Sequence, residues 1–192
     1  MDSYTISLIF IIIFLLIISA FFSGSETALT AASRTRMHQL EKEKNVRAKI
    51  VNFLKNQKER LIGTLLLGNN LVNTLATAIT TSFFISFIGD NEKGIIYSTI
   101  TMTLLILIFG EVLPKTIAIN KADKFALLFA PLIKFLVQIF SPITHLIQIF
   151  IHNLLKVFGF KISNELYKTE EELRGAIDLH AKSEGTKHEK DM

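Results

Sequence analysis

Three apolar stretches, from Tyr4 to Ala32, from Leu61 to Ile88 and from Ile95 to Ile119, are each long enough to cross a bilayer as a helix. Each also carries oxygen-bearing side chains where only hydrocarbon is expected: Ser19, Ser23 and Ser25 in the first, Asn69, Asn70 and Asn73 in the second, Glu111 beside Pro114 in the third. Uncompensated polar groups in hydrocarbon cost several kcal/mol each, so such groups face one another, water or an ion. This pattern predicts an all-α membrane protein in which the three polar clusters meet.

Composition agrees and narrows the chemistry. Of 192 residues, 49% are hydrophobic, and Phe 16 against Trp 0 fits a small helical membrane domain better than a soluble core. Cys 0 excludes disulfides, thiolate metal sites and a thiol nucleophile, leaving oxygen and imidazole as metal ligands. The net charge of +4 comes from basic residues flanking the apolar segments, and no nucleic-acid-binding motif accompanies it. Anionic phospholipid is the expected contact. No nucleophile elbow, phosphate-binding glycine loop or metalloprotease helix is present, so no enzyme is expected.

The basic residues also set an orientation. Arg34, Arg36, Lys42, Lys44, Arg47, Lys49, Lys55, Lys58 and Arg60 lie between the first two spans, and Lys121 and Lys124 follow the third, whereas the turn around Gly89 to Gly94 holds only Lys93. By the positive-inside rule the amino terminus is outside and the basic segment cytoplasmic. No Lys or Arg precedes the first apolar run, which therefore reads as a retained span and not a signal peptide. Within the basic segment, Met37, Leu40, Val46, Ile50, Phe53 and Leu54 predict short amphipathic helices on the membrane surface.

The stretch from Phe125 to Phe160 is apolar too, but Lys134, Gln138, Ser141, His145, Gln148, His152 and Lys156 recur at intervals of three and four and draw one polar stripe along a helix. A striped helix bent by Pro131 and Pro142 fits a belt lying in the interface. A cavity-lining fourth span is the alternative. Three spans put the carboxyl terminus inside, and four put it outside.

Depth brings the polar clusters to one level. Arg34 lies eleven residues after Ser23, Arg60 nine before Asn69 and Lys121 ten after Glu111. At ~1.5 Å per helical residue, all three clusters sit roughly 13–17 Å from the cytoplasmic charges. Pro114 has no N–H and crowds the carbonyl four residues earlier, so the Gly110 oxygen is free to face the same level. Two hydroxyls, an amide oxygen, a freed carbonyl and a carboxylate make a hard-oxygen site for magnesium first, then calcium, or sodium at weaker field. The competing reading is that Ser and Asn only glue helices together while Glu111 pairs with Lys115.

Three ordered motifs carry a family resemblance. Phe22-Ser23-Gly24-Ser25-Glu26-Thr27-Ala28, Leu67-Gly68-Asn69-Asn70-Leu71-Val72-Asn73 and Gly110-Glu111-Val112-Leu113-Pro114-Lys115 closely resemble the transmembrane domain of the CorC/cyclin M (CNNM) magnesium transporters. The resemblance implies three spans with a juxtamembrane belt helix over residues 1–160, a homodimer, and magnesium (Mg2+) export with sodium (Na+) entry as the candidate coupling. It implies an ion site at Ser19, Ser23, Asn69, the Gly110 carbonyl and Glu111, with Ser25, Asn70 and Asn73 as secondary candidates. The ion's identity and the direction of transport come from the resemblance alone. Gly63, Gly68, Ala76 and Ala78 in the second span would allow the close helix approach of a dimer.

The family usually continues into CBS modules that bind adenine nucleotide. Here residues 161–192 read as a charged cytoplasmic linker cut before them, with a helix-start signal at Thr169 and Glu172 and a disordered end from Lys182, so no nucleotide is expected of this chain. A magnesium-binding regulator that controls another carrier is the alternative function.

The orientation is testable because the chain lacks cysteine. Cysteine at Asn91 should react with an impermeant thiol reagent from outside, and cysteine at Glu43 or Thr169 only from the cytoplasmic side. Outside labelling at position 169 would establish the fourth span.

Overall fold

The computed structural model describes residues 3–158, and every regular element among them is a helix. In chain order these are α1 (Ser3–Ala31), α2 (Arg34–Lys42), α3 (Val46–Asn56), α4 (Lys58–Ile88), α5 (Asn91–Leu105), a π-helical segment (Ile106–Val112), α6 (Leu113–Asn120) and α7 (Ala122–Val157). The linker at 161–192, with its helix-start signal and tail, lies outside the described residues. The chain to His145 forms one compact unit and a second begins at Leu146, of which only the continuation of α7 is described.

The boundaries follow local chemistry. Ser33 and Asn45 cap α2 and α3 by accepting from Arg36 N–H and from the N–H groups of Arg47 and Ala48. At the far end Gly89, with φ +71°, closes α4 in the left-handed conformation that glycine adopts without strain. Asp90 then starts α5 by accepting from Lys93 N–H. The expected turn therefore folds as one cap after another.

α1 packs on α4, on the π-helical segment and on α6, while α4 and α5 form an antiparallel hairpin. Two apolar clusters hold this bundle. Ile12, Leu15, Ala76 and Met102 fill one end; Phe22, Leu29, Met37, Val51, Leu54, Leu65 and Ile133 lead the other. Large side chains such as Phe10, Phe14, Ile17, Leu71 and Leu104 stay exposed on the outside, as lipid-facing helices require. The protein is a multi-pass membrane protein.

By length and apolarity four helices among the described residues, not three, could cross a membrane, the fourth being α7. Its contacts decide how its first half runs. Asp123 accepts from Ser33 N–H at 2.9 Å and pairs with Arg36 at 3.3 Å; Lys134 lies 5.5 Å over the Phe53 ring; and the Thr144 methyl would sit 3.5 Å from a Cβ at Gly63. Between positions 123 and 144 a helix rises about 30 Å, a full bilayer core. Across that length α7 meets α2 at Asp123, α3 at Lys134 and the second turn of α4 at Thr144, while Phe129 lies edge-on 5.0 Å from Phe21 of α1, a course along the basic layer and not straight away from it. Ala126, Ala130, Ile133 and Val137 form its buried face.

The same layer clamps the end of α1. Lys55 on α3 donates to the Ala32 carbonyl, one of the acceptors a helix leaves unpaired at its C-terminus. Burial pushes the Lys55 ammonium below its usual pKa, Arg34 pushes the same way and Asp123 opposes both.

Small residues are spent inside the chain. Gly68 lies against the Phe22 ring, Gly63 against Thr144, and Ala76 is buried; of the four residues that motivated a dimer interface only Ala78 is exposed. In the α4–α5 hairpin a Cβ at Gly94 would lie 2.8 Å from Ile85 Cα, which is backbone and does not yield, whereas at Gly24 the nearest atom is 3.6 Å away. Gly94→Ala should therefore destabilise the protein by about 1–3 kcal/mol, measured as a lower melting temperature in detergent, and Gly24→Ala should cost much less.

Candidate functional site

The site grows from the α1–α4 contact. Ser19 is buried on α1, and Asn69 and Asn73, one turn apart on α4, face it. Ser19 Oγ lies 2.6 Å from Asn73 Oδ1 and 3.1 Å from Asn69 Oδ1. A hydroxyl has one proton, so three oxygens share a single hydrogen among them. Such a cluster is electron-rich and suited to a cation. Asn73, a secondary candidate from sequence, makes the shorter contact, whereas Asn70 is exposed and turned away.

The third span reaches this cluster through a backbone feature the sequence did not announce. Residues 106–112 form a π-helix, with Leu113 N–H donating to the Ile108 carbonyl five residues earlier. Pro114 follows and has no N–H, so the carbonyl it would have met, at 109 in the π register or 110 in the α register, loses that donor. Gly110 packs directly on Ser19: a Cβ there would lie 2.8 Å from Ser19 Oγ. Only glycine lets this backbone approach so closely. Pro114 thus leaves a carbonyl at 109 or 110 without its donor, and of the two Gly110 is the one packed against Ser19.

Ser23 lies one turn from Ser19 and is buried, as is Ser25; neither hydroxyl has a hydrogen-bond partner among the described residues. Thr64 and Thr80 on α4 share that condition. Nothing in the sequence marked these threonines, because threonine is common on apolar helices and bonds its own i−4 carbonyl. Gly24 is seated on Pro114, which brings the Ser23–Ser25 segment to the turn after the π-helix.

Glu111 follows Gly110, and its side chain lines a cavity of 310 Å3 with Thr77, Thr99, Met102, Thr103, Ile106 and Leu107. Lys115, its alternative partner from sequence, lies 3.8 Å from Glu26 instead. Among the described residues no ion pair reaches Glu111. Nor do three His, Asp or Glu side chains gather into a metal-binding group among them, so a cation here would depend on neutral oxygens and one carboxylate.

These residues sit in a chain whose relatives are recognisable. The profile of the cyclin M transmembrane N-terminal domain matches residues 10–190. A UPF0053 protein of Haemophilus influenzae is 35% identical over 179 residues, covering 92% of this chain and 42% of that protein. The UPF0053 inner membrane protein YfjD of Escherichia coli is 36% identical, over 91% of this chain and 41% of its own length. A putative chloroplastic DUF21 domain-containing protein of Arabidopsis thaliana is 31% identical over 83% of this chain and 24% of its own length. The chain thus spans about two fifths of the bacterial relatives.

The Gly110–Ser19 contact can be tested by a double-mutant cycle. Gly110→Ala should cost about 1–3 kcal/mol of stability with Ser19 present and clearly less in a Ser19→Ala background, because the atom the new Cβ strikes is then gone. Additive melting shifts would refute the contact.

Proposed function

The chain belongs to the cyclin M family, of which it carries the transmembrane N-terminal domain, and on that premise we propose that it moves magnesium across the membrane. The observation that carries the reading is the convergence of Ser19 Oγ, Asn69 Oδ1 and Asn73 Oδ1, with one proton among them, against the Gly110 backbone. Three helical segments contribute, and Glu111, without an ion pair among the described residues, is the next residue. In hydrocarbon this arrangement is costly unless a cation visits it. Short side chains on rigid helices make a compact site, which suits magnesium at ~2.0–2.1 Å better than calcium with its longer and more numerous bonds.

Ser19, Asn69, Asn73 and a released carbonyl of the π-helical segment supply neutral ligands, Ser23 stands one turn nearer the basic layer, and Glu111 supplies charge. The cation loads from the cytoplasmic side and leaves outward, with sodium entering in exchange. The protein works as a homodimer, which rests on family membership alone now that Gly63, Gly68 and Ala76 pack within the chain.

Magnesium that binds only the folded state raises the melting temperature by mass action, with a stabilisation of about 2.7 kcal/mol at one hundred times Kd. Glu111→Gln should nearly abolish the magnesium-dependent shift, and Ser19→Ala, Ser23→Ala, Asn69→Ala and Asn73→Ala should each reduce it. An equal shift in wild type and Glu111→Gln would remove Glu111 from the site. Liposomes holding only this protein, tested beside its full-length form, should show magnesium flux. A magnesium-dependent melting shift with no flux from either would favour the regulator.

A further inference from the structure

The cavity beside Glu111 is separate from the Ser19 cluster and has its own chemistry. It opens between α4 and the α5–π segment, and three of its seven lining residues are threonines. Thr77 stands one turn beyond Asn73 toward the Gly89 end of α4, so the cavity extends from the asparagine layer toward the turn that the charge distribution puts outside. On α5, Thr99 and Thr103 are one turn apart and exposed into it.

Two of the three hydroxyl protons are already committed. Thr77 Oγ1 donates to the Asn73 carbonyl at 2.8 Å and Thr99 Oγ1 to the Ile95 carbonyl at 2.8 Å. What these groups present to the cavity is therefore lone pairs, alongside the Glu111 carboxylate. The polar part of the wall thus offers acceptors at Thr77, Thr99 and Glu111 beside the apolar Met102, Ile106 and Leu107, which suits a species that donates hydrogen bonds, and the one formal charge in the wall is negative. A cation wrapped in water meets both requirements, since every water in its shell points its hydrogens outward.

Size agrees. At about 30 Å3 per water, 310 Å3 holds roughly ten waters, enough for six around one ion and several more between shell and wall. The Ser19 cluster has no such room: its oxygens lie 2.6 and 3.1 Å apart, and a cation must shed water to enter. Magnesium dehydrates reluctantly, so a place to hold the hydrated ion next to the stripping site removes a separate step from the route.

We propose that the cavity lined by Thr77, Thr99, Thr103 and Glu111 is a holding site for a hydrated divalent cation, held through its water shell by threonine oxygens and the carboxylate. The proposal rests on the cation-transport reading but is tested without measuring transport. Hexamminecobalt(III) imitates a hexahydrated divalent ion in size and outward-pointing hydrogens and does not exchange its ligands, so it can occupy this cavity and cannot enter the Ser19 cluster.

In the cysteine-free chain, Thr103→Cys, with Thr99→Cys as a second position, is reconstituted and treated from outside with a cationic, impermeant methanethiosulfonate. Both cysteines should react, and hexamminecobalt(III) at about ten times its Kd should slow the reaction about tenfold by mass action. Adding Glu111→Gln or Thr77→Val should remove most of that protection while leaving modification itself intact. Folded variants whose cysteines do not react from outside, or react at a rate hexamminecobalt(III) does not change, overturn the proposal. Protection in a protein that shows no magnesium flux would uphold the holding site and count against transport. Flux without protection would do the reverse.

Discussion

The cost of leaving polar atoms in hydrocarbon organises this molecule. Ser19, Asn69 and Asn73 sit on two long apolar helices and gather their oxygens around one shared hydrogen across the α1–α4 contact, which fixes how those helices face each other. Gly110 then fixes the third span, because its backbone fits against Ser19 only without a side chain. Apolar packing above and below, around Met102 and around Leu29 and Met37, is compatible with many rotations of a helix about its axis. The hydroxyl and two amides are not.

The π-helical segment is the second determinant. An extra residue in the turn from Ile106 to Val112 shifts the register, so that Gly110 meets Ser19 while Glu111 points into the neighbouring cavity. One stretch of backbone thereby serves a tight oxygen cluster and a roomy carboxylate-bearing cavity side by side. Pro114 follows directly and prevents its own position from restoring the lost hydrogen bond. Lys115, one residue on, pairs with Glu26, which ties α6 to α1 and draws that ammonium away from Glu111.

At the basic end the molecule is held by a different set of forces. Asp123 gathers Ser33 and Arg36, Lys55 caps α1 at Ala32, and Lys134 covers Phe53. Exposed ion pairs contribute about 1 kcal/mol or less each, so the weight falls on the apolar face Ala126, Ala130, Ile133 and Val137 beneath them. The polar contacts decide where along the layer α7 lies, and burial decides that it stays there.

The division between sequence and tertiary structure follows from what each kind of interaction needs. Span length, the turn at Gly89 and Asp90, the amphipathic α2 and α3, and the shared depth of Ser19, Asn69 and Glu111 are properties of one segment at a time. A count of apolar residues and a rise of ~1.5 Å per residue are enough to read them. Length could not rank α7 as span or belt, because its composition satisfies both; only contacts at Asp123, Lys134 and Thr144 told its course. Sequence also could not choose between Asn69 and Asn73, foresee the π-helix, or pair Lys115 with Glu26. Each of these depends on the rotation of one helix against another, and a rotation is set by side chains from both partners at once, which no single segment contains.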